Sequence, residues 1–588
     1  MVAVSVNPTF SPLMSAPAHF TRGVLAERVR MNREVLLRGI DVAVLQRVYA
    51  ETHDGWFAEP EFCGQYIDAA LAAYRATGEA EWRSRAGAVV EAIITHQRAD
   101  GYLGTYHSGL EFDSFSVWNQ QFTMMGLLTY FEHTGDARAL QAAERCADFV
   151  RMRFLAPGGP DVIDAMNSGI QHSSILLEYL RLYHLTGRQE FLDFALFIVG
   201  RWEASSLRLI SGPNRSPGMA VDAVGCQKGV EMLICYRGIL ALYQATGDMQ
   251  YLQAVQAYWQ CVRNTQIGPT GNGTIAERWW YQGNTPIALT NDLHPNENCV
   301  AVSWMQLSAA LLAQSGESCY ADEFEKTLYN HLLGAQAADG SDFSYYQGLI
   351  GCKVHRTPES WYSCCRYRGL KMLAHLGEWA ILHSADGPVI ALFADVTARV
   401  PVGETMVALC QETDYPRSGQ VRITVRPDQN TAFTLRVRKP AYCPHIAVTV
   451  NGQPLADLPE AHGFLCITRA WTAGDVVELD LTLPVTVRQA RIDDDYQSAL
   501  IMYGPLALAI DSRYGTPVGA TQVAVAGNTL PLEAQNSSPD TWTPIVRFHT
   551  PGTVSGVPTP ITLVDYASAG SQQPGYDKLQ VWIPVAPK

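Results

Sequence analysis

Two short clusters in this sequence carry side chains of the kind that bind soft metal ions. One contains Glu297 and Cys299, and the other is the adjacent pair Cys364 and Cys365. A disulfide between neighbouring cysteines strains the intervening peptide, whereas both thiolates can reach a single ion. Three sulfurs and a carboxylate complete the tetrahedron that Zn²⁺ prefers, so the clusters predict a zinc site. The alternative is that these are buried apolar cysteines, which are common in proteins.

The composition is typical of an ordinary protein of two to four domains. The chain has 588 residues, of which 47% are hydrophobic and 17% charged, enough apolar material for large cores. The formal net charge is −14, and Lys and Arg form no basic run. Nucleic acids and anionic membranes attract clustered cations, so neither is an expected partner. A neutral ligand fits this charge balance better.

Three further features bear on location. Residues 1–20 contain no Lys or Arg ahead of an apolar stretch, unlike a secretory leader. No uninterrupted apolar run reaches the roughly 18 residues that a membrane span needs. The 13 cysteines are odd in number and scattered, which favours reduced thiols over a disulfide framework. We therefore expect a cytoplasmic protein.

A recurring motif organises the first two thirds of the chain. An apolar helix ends in a turn, mostly with an aromatic residue, followed by Thr-Gly or Ser-Gly, at intervals of about fifty to seventy residues, room for a helix pair. Glycine there supplies the left-handed residue that ends a helix. Five or six such hairpins can stack or close into a ring, and we favour an (α/α)6 barrel over residues 21–385. The glycines of the motif are Gly78, Gly135, Gly187, Gly247 and Gly316.

The pattern changes near residue 386, where alternating strand-like runs begin. Asn451-Gly452 between two such runs is a strong hairpin signal. We therefore expect a β-sandwich over residues 386–510 and, over residues 511–588, a second β-rich module or a continuation of the sandwich. Residues 1–20 form an extension that we expect to pair with this β region.

Several motifs resemble a known family. They are Asn296-Glu297-Asn298-Cys299, Phe343-Ser344-Tyr345, Ser363-Cys364-Cys365 and, in the β region, Tyr503-Gly504-Pro505-Leu506. Together they look like the β-L-arabinofuranosidase family, glycoside hydrolase family 127, over most of the chain. The resemblance implies an (α/α)6 barrel followed by one or two β-sandwich domains, a zinc ion at the active centre and a carbohydrate substrate. Because such proteins often associate, it also makes a homodimer possible.

The same resemblance implies roles for individual residues. Glu277 matches the acid/base glutamate, with Asp292 as the reserve candidate. A zinc-bound cysteine is deprotonated, so the nucleophilic sulfur would attack an anomeric carbon as a thiolate in a retaining reaction. We therefore predict a zinc-dependent retaining glycoside hydrolase that releases a terminal sugar, foremost an L-arabinofuranoside. The implied zinc ligands are Glu297, Cys299, Cys365 and Cys364, the last being also the nucleophile.

Substrate contacts are also implied, and two positions depart from the family. His172 and Tyr345 match pocket residues, with a loop-edge role as the alternative. Lys228 stands where relatives have a histidine, and it would either pair with Glu231 or receive an acidic sugar. The second departure is in Gly126-Leu127-Leu128, where relatives have a Gly-His-Leu stretch and this chain has Leu127 in place of the histidine. Core packing is the alternative for the candidate sugar-stacking side chains, Trp118, Trp279 and Trp361.

Two other functions remain open at this point. A helical toroid could be a polysaccharide lyase or hydrolase that uses a carboxylate pair, with a structural zinc, because four protein ligands normally mark a structural site. A carbohydrate-binding protein without catalysis could keep the same fold. Substituting Cys364 while following zinc content and turnover separates these functions.

Overall fold

Helices make up the first part of the protein and strands the last part in the computed structural model. The predicted fold class, a helical barrel followed by β-sandwich domains, is confirmed. None of the helices in the described part of the chain is long and apolar enough to cross a membrane. The structure describes residues 6–54, 57–215, 221, 224–279, 293–353, 363–491, 497–525, 530–534, 544–571 and 578–585.

Twelve main helices in the described residues form the barrel. In chain order they are α1 (Gly23–Met31), α2 (Glu59–Thr77), α3 (Ala80–Thr95), α4 (Ser116–Thr134), α5 (Ala137–Leu155), α6 (Leu176–Thr186), α7 (Gln189–Glu203), α8 (Gly229–Thr246), α9 (Met249–Thr265), α10 (Asn298–Ser315), α11 (Ser318–Thr327) and α12 (Cys364–Ala374). The even-numbered helices form the inner ring, because each contacts the next and α12 contacts α2. Helices α2, α4, α8 and α10 are buried around most of their circumference, whereas the outer helix α5 buries one face.

The recurring glycines end five of the six inner helices. Each has a left-handed φ between 69° and 74°. Each also donates its backbone N–H to the carbonyl four residues earlier, at 2.7–2.8 Å, which ends the helix. The sixth inner helix, α12, ends at His375 without a glycine. Residues near the N-termini of α2, α4, α8, α10 and α12 line one shared cavity, so these inner helices start on the same face of the barrel.

Two sheets follow the barrel and contact each other. One contains, in spatial order, Ser11–Pro12, Ile381–Ser384, Gly387–Ile390, Thr431–Arg438, Phe464–Trp471 and Glu460–Ala461. The other contains Gln453–Leu455, Ile446–Val450, Asp475–Leu481, Gln420–Pro427, Thr405–Thr413, Val396–Val402 and His19–Phe20. The amino-terminal segment thus adds an edge strand to each sheet. The Asn451-Gly452 turn joins two paired strands of the second sheet.

A third sheet closes the chain and reaches back to the barrel. Its main path is Val485–Arg491, Gln497–Tyr503, Leu506–Asp511, Val557–Asp565, Arg547–Val554 and Thr521–Val523. The short strands Glu533–Ala534, Lys578–Gln580 and Ile583–Pro584 pair at its sides, and Lys578–Gln580 also pairs with the barrel strand Ile350–Cys352.

The strands cross both domain boundaries expected within the β region. The turn signal at residue 386 lies inside a hairpin, because Ser384 pairs with Gly387, so the sheet begins earlier, at Ile381. The strand Leu506–Asp511 is fully buried and runs across the boundary expected after residue 510. Turn residues mark hairpins and domain ends alike, so the domain limits at residues 385 and 510 stay predictions.

Candidate active site

A cavity of about 370 Å³ lies at the N-terminal end of the inner helix ring. The first turns of α2, α8, α10 and α12 and the loops that precede them supply most of its wall. Helix N-termini carry partial positive charge and unpaired N–H groups, so this end of the ring favours anionic side chains. The two sequence clusters meet in this cavity.

The four predicted zinc ligands lie together although they come from distant parts of the chain. One ligand atom from each of Glu297, Cys299, Cys364 and Cys365 lies within 4.8 Å of all the others. The sulfurs of Cys299 and Cys365 are 3.1 Å apart across 66 residues of sequence, and no disulfide joins them. Glu297 immediately precedes α10, and Cys364 is the first residue of α12.

The surroundings of these four side chains fit a divalent cation. Glu297 Oε2 is buried and has no hydrogen-bond partner within the described residues. Burial raises the pKa of Glu297, and burial likewise raises the pKa of Cys299. Hydrogen bonds from Cys299 and Cys365 lower the pKa of Cys364 well below its usual range. A set of three sulfurs and one carboxylate is the chemistry of a zinc site, and a cation there would offset the cost of burying these acids.

Glu277 lies across a tyrosine hydroxyl from this cluster. Tyr345 Oη donates to Glu277 Oε1 at 2.8 Å and lies 3.6 Å from Cys364 Sγ. Tyr346 Oη also donates to Oε1, at 2.9 Å, and Lys228 Nζ donates to Oε2. Burial alone raises the pKa of Glu277, but the Lys228 ammonium together with the hydrogen bonds from Tyr345 and Tyr346 outweighs burial and lowers the pKa. The resting side chain is therefore a carboxylate, and both of its oxygens already accept hydrogen bonds.

An unusual backbone conformation holds Glu277 in place. Its φ of 67° is in the left-handed region, which is uncommon for residues other than glycine and concentrates at functional sites. Its carbonyl accepts the Gly229 N–H at 3.0 Å, which ties the loop to the start of α8. Gly273 precedes it where a Cβ would lie 1.5 Å from the Gln266 carbonyl oxygen, so only glycine fits.

Some of the residues predicted to contact substrate line the cavity, and others do not. Tyr345, Lys228 and Trp118 line the cavity, whereas His172 does not. His172 is 2% exposed, its ring lies 6.0 Å from that of Phe154 on the outer helix α5, and burial lowers its pKa to about 4.

Other predicted residues lie away from the cavity or outside the described residues. Trp279 is buried and donates to Tyr258 Oη at 2.9 Å, which is core packing. Leu127, the counterpart of the missing family histidine, is buried and is also not a lining residue. Trp361 and Asp292 lie outside the described residues.

Sequence reasoning missed an ion pair at the base of the cavity. Arg368 donates through Nε to Glu61 Oε1 at 3.0 Å, and Trp118 Nε1 donates to Glu61 Oε2 at 2.6 Å. Arg368 is 3% exposed and lines the same cavity as Cys364. The four-residue spacing from Cys364 to Arg368, which places both on one helix face, was the available signal.

Sequence profiles identify two domains of one family in the chain. The profile of the β-L-arabinofuranosidase GH127 catalytic domain matches residues 22–378. The profile of the GH127 middle domain of the same enzymes matches residues 389–483. The resemblance expected from the motifs is therefore confirmed. A search by sequence among curated proteins finds no match.

Solved structures share the fold along nearly the whole chain. A GH127 β-arabinofuranosidase superposes with a TM-score of 0.83 and 20% identity, over 99% of this chain and 98% of that one. A GH127 β-L-arabinofuranosidase from Geobacillus stearothermophilus T6 gives 0.78 and 21%, over 97% of this chain and 100% of that one. A third structure, described as a glycoside hydrolase, gives 0.80 and 21%, with 99% and 98% covered.

Proposed function

The chain belongs to glycoside hydrolase family 127, and from that premise we propose that it is a zinc-dependent retaining enzyme that releases a terminal L-arabinofuranosyl residue. The observation that carries the proposal is the cluster of Glu297, Cys299, Cys364 and Cys365, of which the first three line the cavity. Glu277 lies across the Tyr345 hydroxyl from Cys364 in the same cavity. The nucleophile and acid/base candidates therefore line the same cavity, on either side of the Tyr345 hydroxyl.

Cys364 is the proposed nucleophile because its position favours the ionised sulfur. It is the first residue of α12, where the helix dipole stabilises negative charge, and it is the partly exposed member of the cluster. Glu297, Cys299, Cys364 and Cys365 would hold the zinc ion. When bound, the ion supplies positive charge that keeps the cysteine sulfurs deprotonated.

Two displacements at one carbon give the proposed retention. Glu277, a carboxylate at rest, first takes up a proton from solvent. In the first displacement, the Cys364 sulfur bonds to the anomeric carbon while the bond to the leaving oxygen breaks, and Glu277 gives this proton to that oxygen. In the second, Glu277 takes a proton from water as the water oxygen displaces the sulfur. The donors now on Glu277 are Lys228, Tyr345 and Tyr346, so the leaving oxygen has to displace one of them.

The alternative is a structural metal site, which four protein ligands normally indicate. Two features favour the catalytic assignment. Cys364 lines the cavity rather than the packed core, and a carboxylate faces it from a strained loop. A structural site needs neither feature.

Substitution of Cys364 by serine tests the proposal, with Cys410→Ser as the matched control. Cys410 is a partly exposed cysteine on the strand Thr405–Thr413 of the second sheet, away from the cavity. We expect Cys364→Ser to lower the turnover of an aryl β-L-arabinofuranoside by about 10³-fold or more, while Cys410→Ser has no effect. Intact mass after brief reaction should show a glycosyl adduct on the unmodified protein and on Cys410→Ser, but not on Cys364→Ser. Undiminished turnover by Cys364→Ser would refute the nucleophile assignment.

A further inference from the structure

Glu231 is a pocket carboxyl group that the proposed reaction does not use. It is the third residue of α8, is 4% exposed, and lines the cavity beside Lys228. Its Oε1 accepts a long hydrogen bond of 3.4 Å from Asn167 Nδ2. Its Oε2 is buried and has no hydrogen-bond partner in the part of the chain that the structure describes. A buried polar atom left without a partner destabilises the fold, so such atoms concentrate where a ligand completes them.

The other carboxyl groups in the cavity wall are already engaged. Glu61 accepts from Trp118 and Arg368, and Glu277 accepts from Lys228 and two tyrosines. Glu297 belongs to the cluster of metal-binding side chains. Among the described carboxyl groups of this wall, Glu231 is therefore the one outside the metal cluster that still has an oxygen to offer a ligand.

The cations of the cavity wall are engaged as well. Lys228 donates to Glu277, and Arg368 is paired with Glu61. Arg278 donates to Asn167 Oδ1 at 3.2 Å near the exposed rim. The idea that Lys228 receives an acidic sugar conflicts with this arrangement, because a substrate carboxylate would have to compete with Glu277 for the ammonium. It would also bring a second acceptor oxygen close to the unpaired oxygen of Glu231, with no donor between them.

We propose that Glu231 is a specificity-determining residue, whose unpaired Oε2 accepts a hydrogen bond from one hydroxyl of a neutral terminal sugar, a bond that a sugar carboxylate at the same place cannot donate. The inference deepens the proposed function and rests on the same cavity. A buried acceptor such as Glu231 Oε2 discriminates sharply against an analogue that leaves it unpaired. Glu231 would thereby discriminate between sugars, a role that its sequence motif did not indicate.

Binding to a catalytically silent background tests this role independently of turnover. In Cys364→Ser protein, we would measure equilibrium binding of methyl β-L-arabinofuranoside, its three monodeoxy analogues and the analogue oxidised to a carboxylate at C5. We expect the neutral sugar to bind at least 10-fold more tightly than the carboxylate. One monodeoxy analogue should bind on the order of 10²-fold more weakly than the parent sugar.

Variants at position 231 then identify the group that reads the hydroxyl. Glu231→Ala should weaken binding of the parent sugar to the level of that one monodeoxy analogue and leave the analogue itself unchanged within about 3-fold. Glu231→Gln, which keeps the shape and one acceptor oxygen, should fall between the two. Glu178→Gln is the matched control, because Glu178 is likewise the third residue of an inner helix and buried, but it is paired with Arg181 at 2.9 Å.

The outcomes separate this inference from the proposed function. Equal weakening of all analogues by Glu231→Ala, or tighter binding of the carboxylate than of the neutral sugar, overturns the role of Glu231 whatever the nucleophile is. Turnover retained by Cys364→Ser refutes the proposed chemistry and leaves the binding ratios to decide on Glu231. Zinc content and thermal unfolding of each variant report whether a loss reflects a disturbed fold.

Discussion

The two ends of the inner helix ring form cavities of similar size and opposite character. The cavity at the N-terminal end measures about 370 Å³, and a second one at the C-terminal end about 340 Å³. Arg368 lines both cavities. In the second cavity most charged groups satisfy one another: Arg75 pairs with Glu378, His375 with Asp68 and Glu378, and Arg181 with Glu178 and Glu132.

The contrast shows where a helical barrel keeps its chemistry. At the C-terminal end, cations lie where the helix dipoles favour them, and their carboxylate partners are already present. At the N-terminal end, two sulfurs approach to 3.1 Å, and Glu297 and Glu231 each keep a buried oxygen without a partner in the described residues. Charges paired with each other stabilise the fold, whereas polar groups left unsatisfied are available to a metal or a substrate.

Removing the metal should have the largest effect on the N-terminal end of the ring. We expect a chelator to abolish turnover and to lower the unfolding temperature, because three thiols and the Glu297 carboxyl group would remain crowded within 4.8 Å. Cys364, the partly exposed cysteine of the four, should then react with an alkylating reagent. Added Zn²⁺ should restore turnover and protect the thiol. Full activity in chelated, metal-free protein would contradict a metal-dependent site.

Loss of the acid/base carboxyl group should have the next largest effect. Glu277→Gln keeps the size of the side chain but cannot transfer a proton, so turnover of substrates with poor leaving groups should fall about 10³-fold. Activated aryl substrates need less protonation and should be affected less in the first step. Kinetics on a series of leaving groups with increasing pKa measures the difference. A loss that is independent of the leaving group would assign Glu277 to binding rather than proton transfer.

Much of this arrangement could be predicted from the sequence. The repeated glycines mark the ends of five inner helices because a left-handed C-terminal residue is a local requirement. The Glu297–Cys299 and Cys364–Cys365 clusters could be assigned to one site because together they supply the ligand types that zinc prefers, although Cys299 and Cys365 are 66 positions apart.

Residues whose role depends on closure of the ring could not be predicted in the same way. The partner of Arg368 is Glu61, which lies 307 positions away and meets it only because α12 packs against α2. His172 matches a family motif, yet its ring lies beside Phe154 of an outer helix. The unpaired oxygen of Glu231 is visible only once its neighbours are placed. Long-range packing, rather than local pattern, decides these three.

Arg368 lines both cavities, so its ion pair with Glu61 can be tested as a link between the two ends of the ring. Arg368→Met leaves Glu61 buried without its cation, and we expect unfolding free energy to fall by about 3–4 kcal/mol. Adding Glu61→Gln removes the uncompensated charge, so the double variant should regain part of that loss. Denaturant unfolding of the two single variants and the double variant completes the cycle. Additive effects would show that the two side chains do not interact.

His375 offers the smallest effect and isolates the C-terminal end. Burial alone lowers its pKa, but Glu378 and Asp68 outweigh burial and raise the pKa to about 9. Because the folded pKa exceeds the unfolded value of about 6.5, this group contributes fully to stability below pH 6.5 and loses its contribution as the pH rises through about 9. The contribution is on the order of 3 kcal/mol. Thermal unfolding from pH 6 to 9.5 should therefore show a steeper decline for the unmodified protein than for His375→Gln, with the exposed His96→Gln as control. If the unfolding temperatures of the unmodified protein and His375→Gln declined in parallel with pH, His375 would be neutral in the folded protein and would not form ion pairs with Asp68 and Glu378.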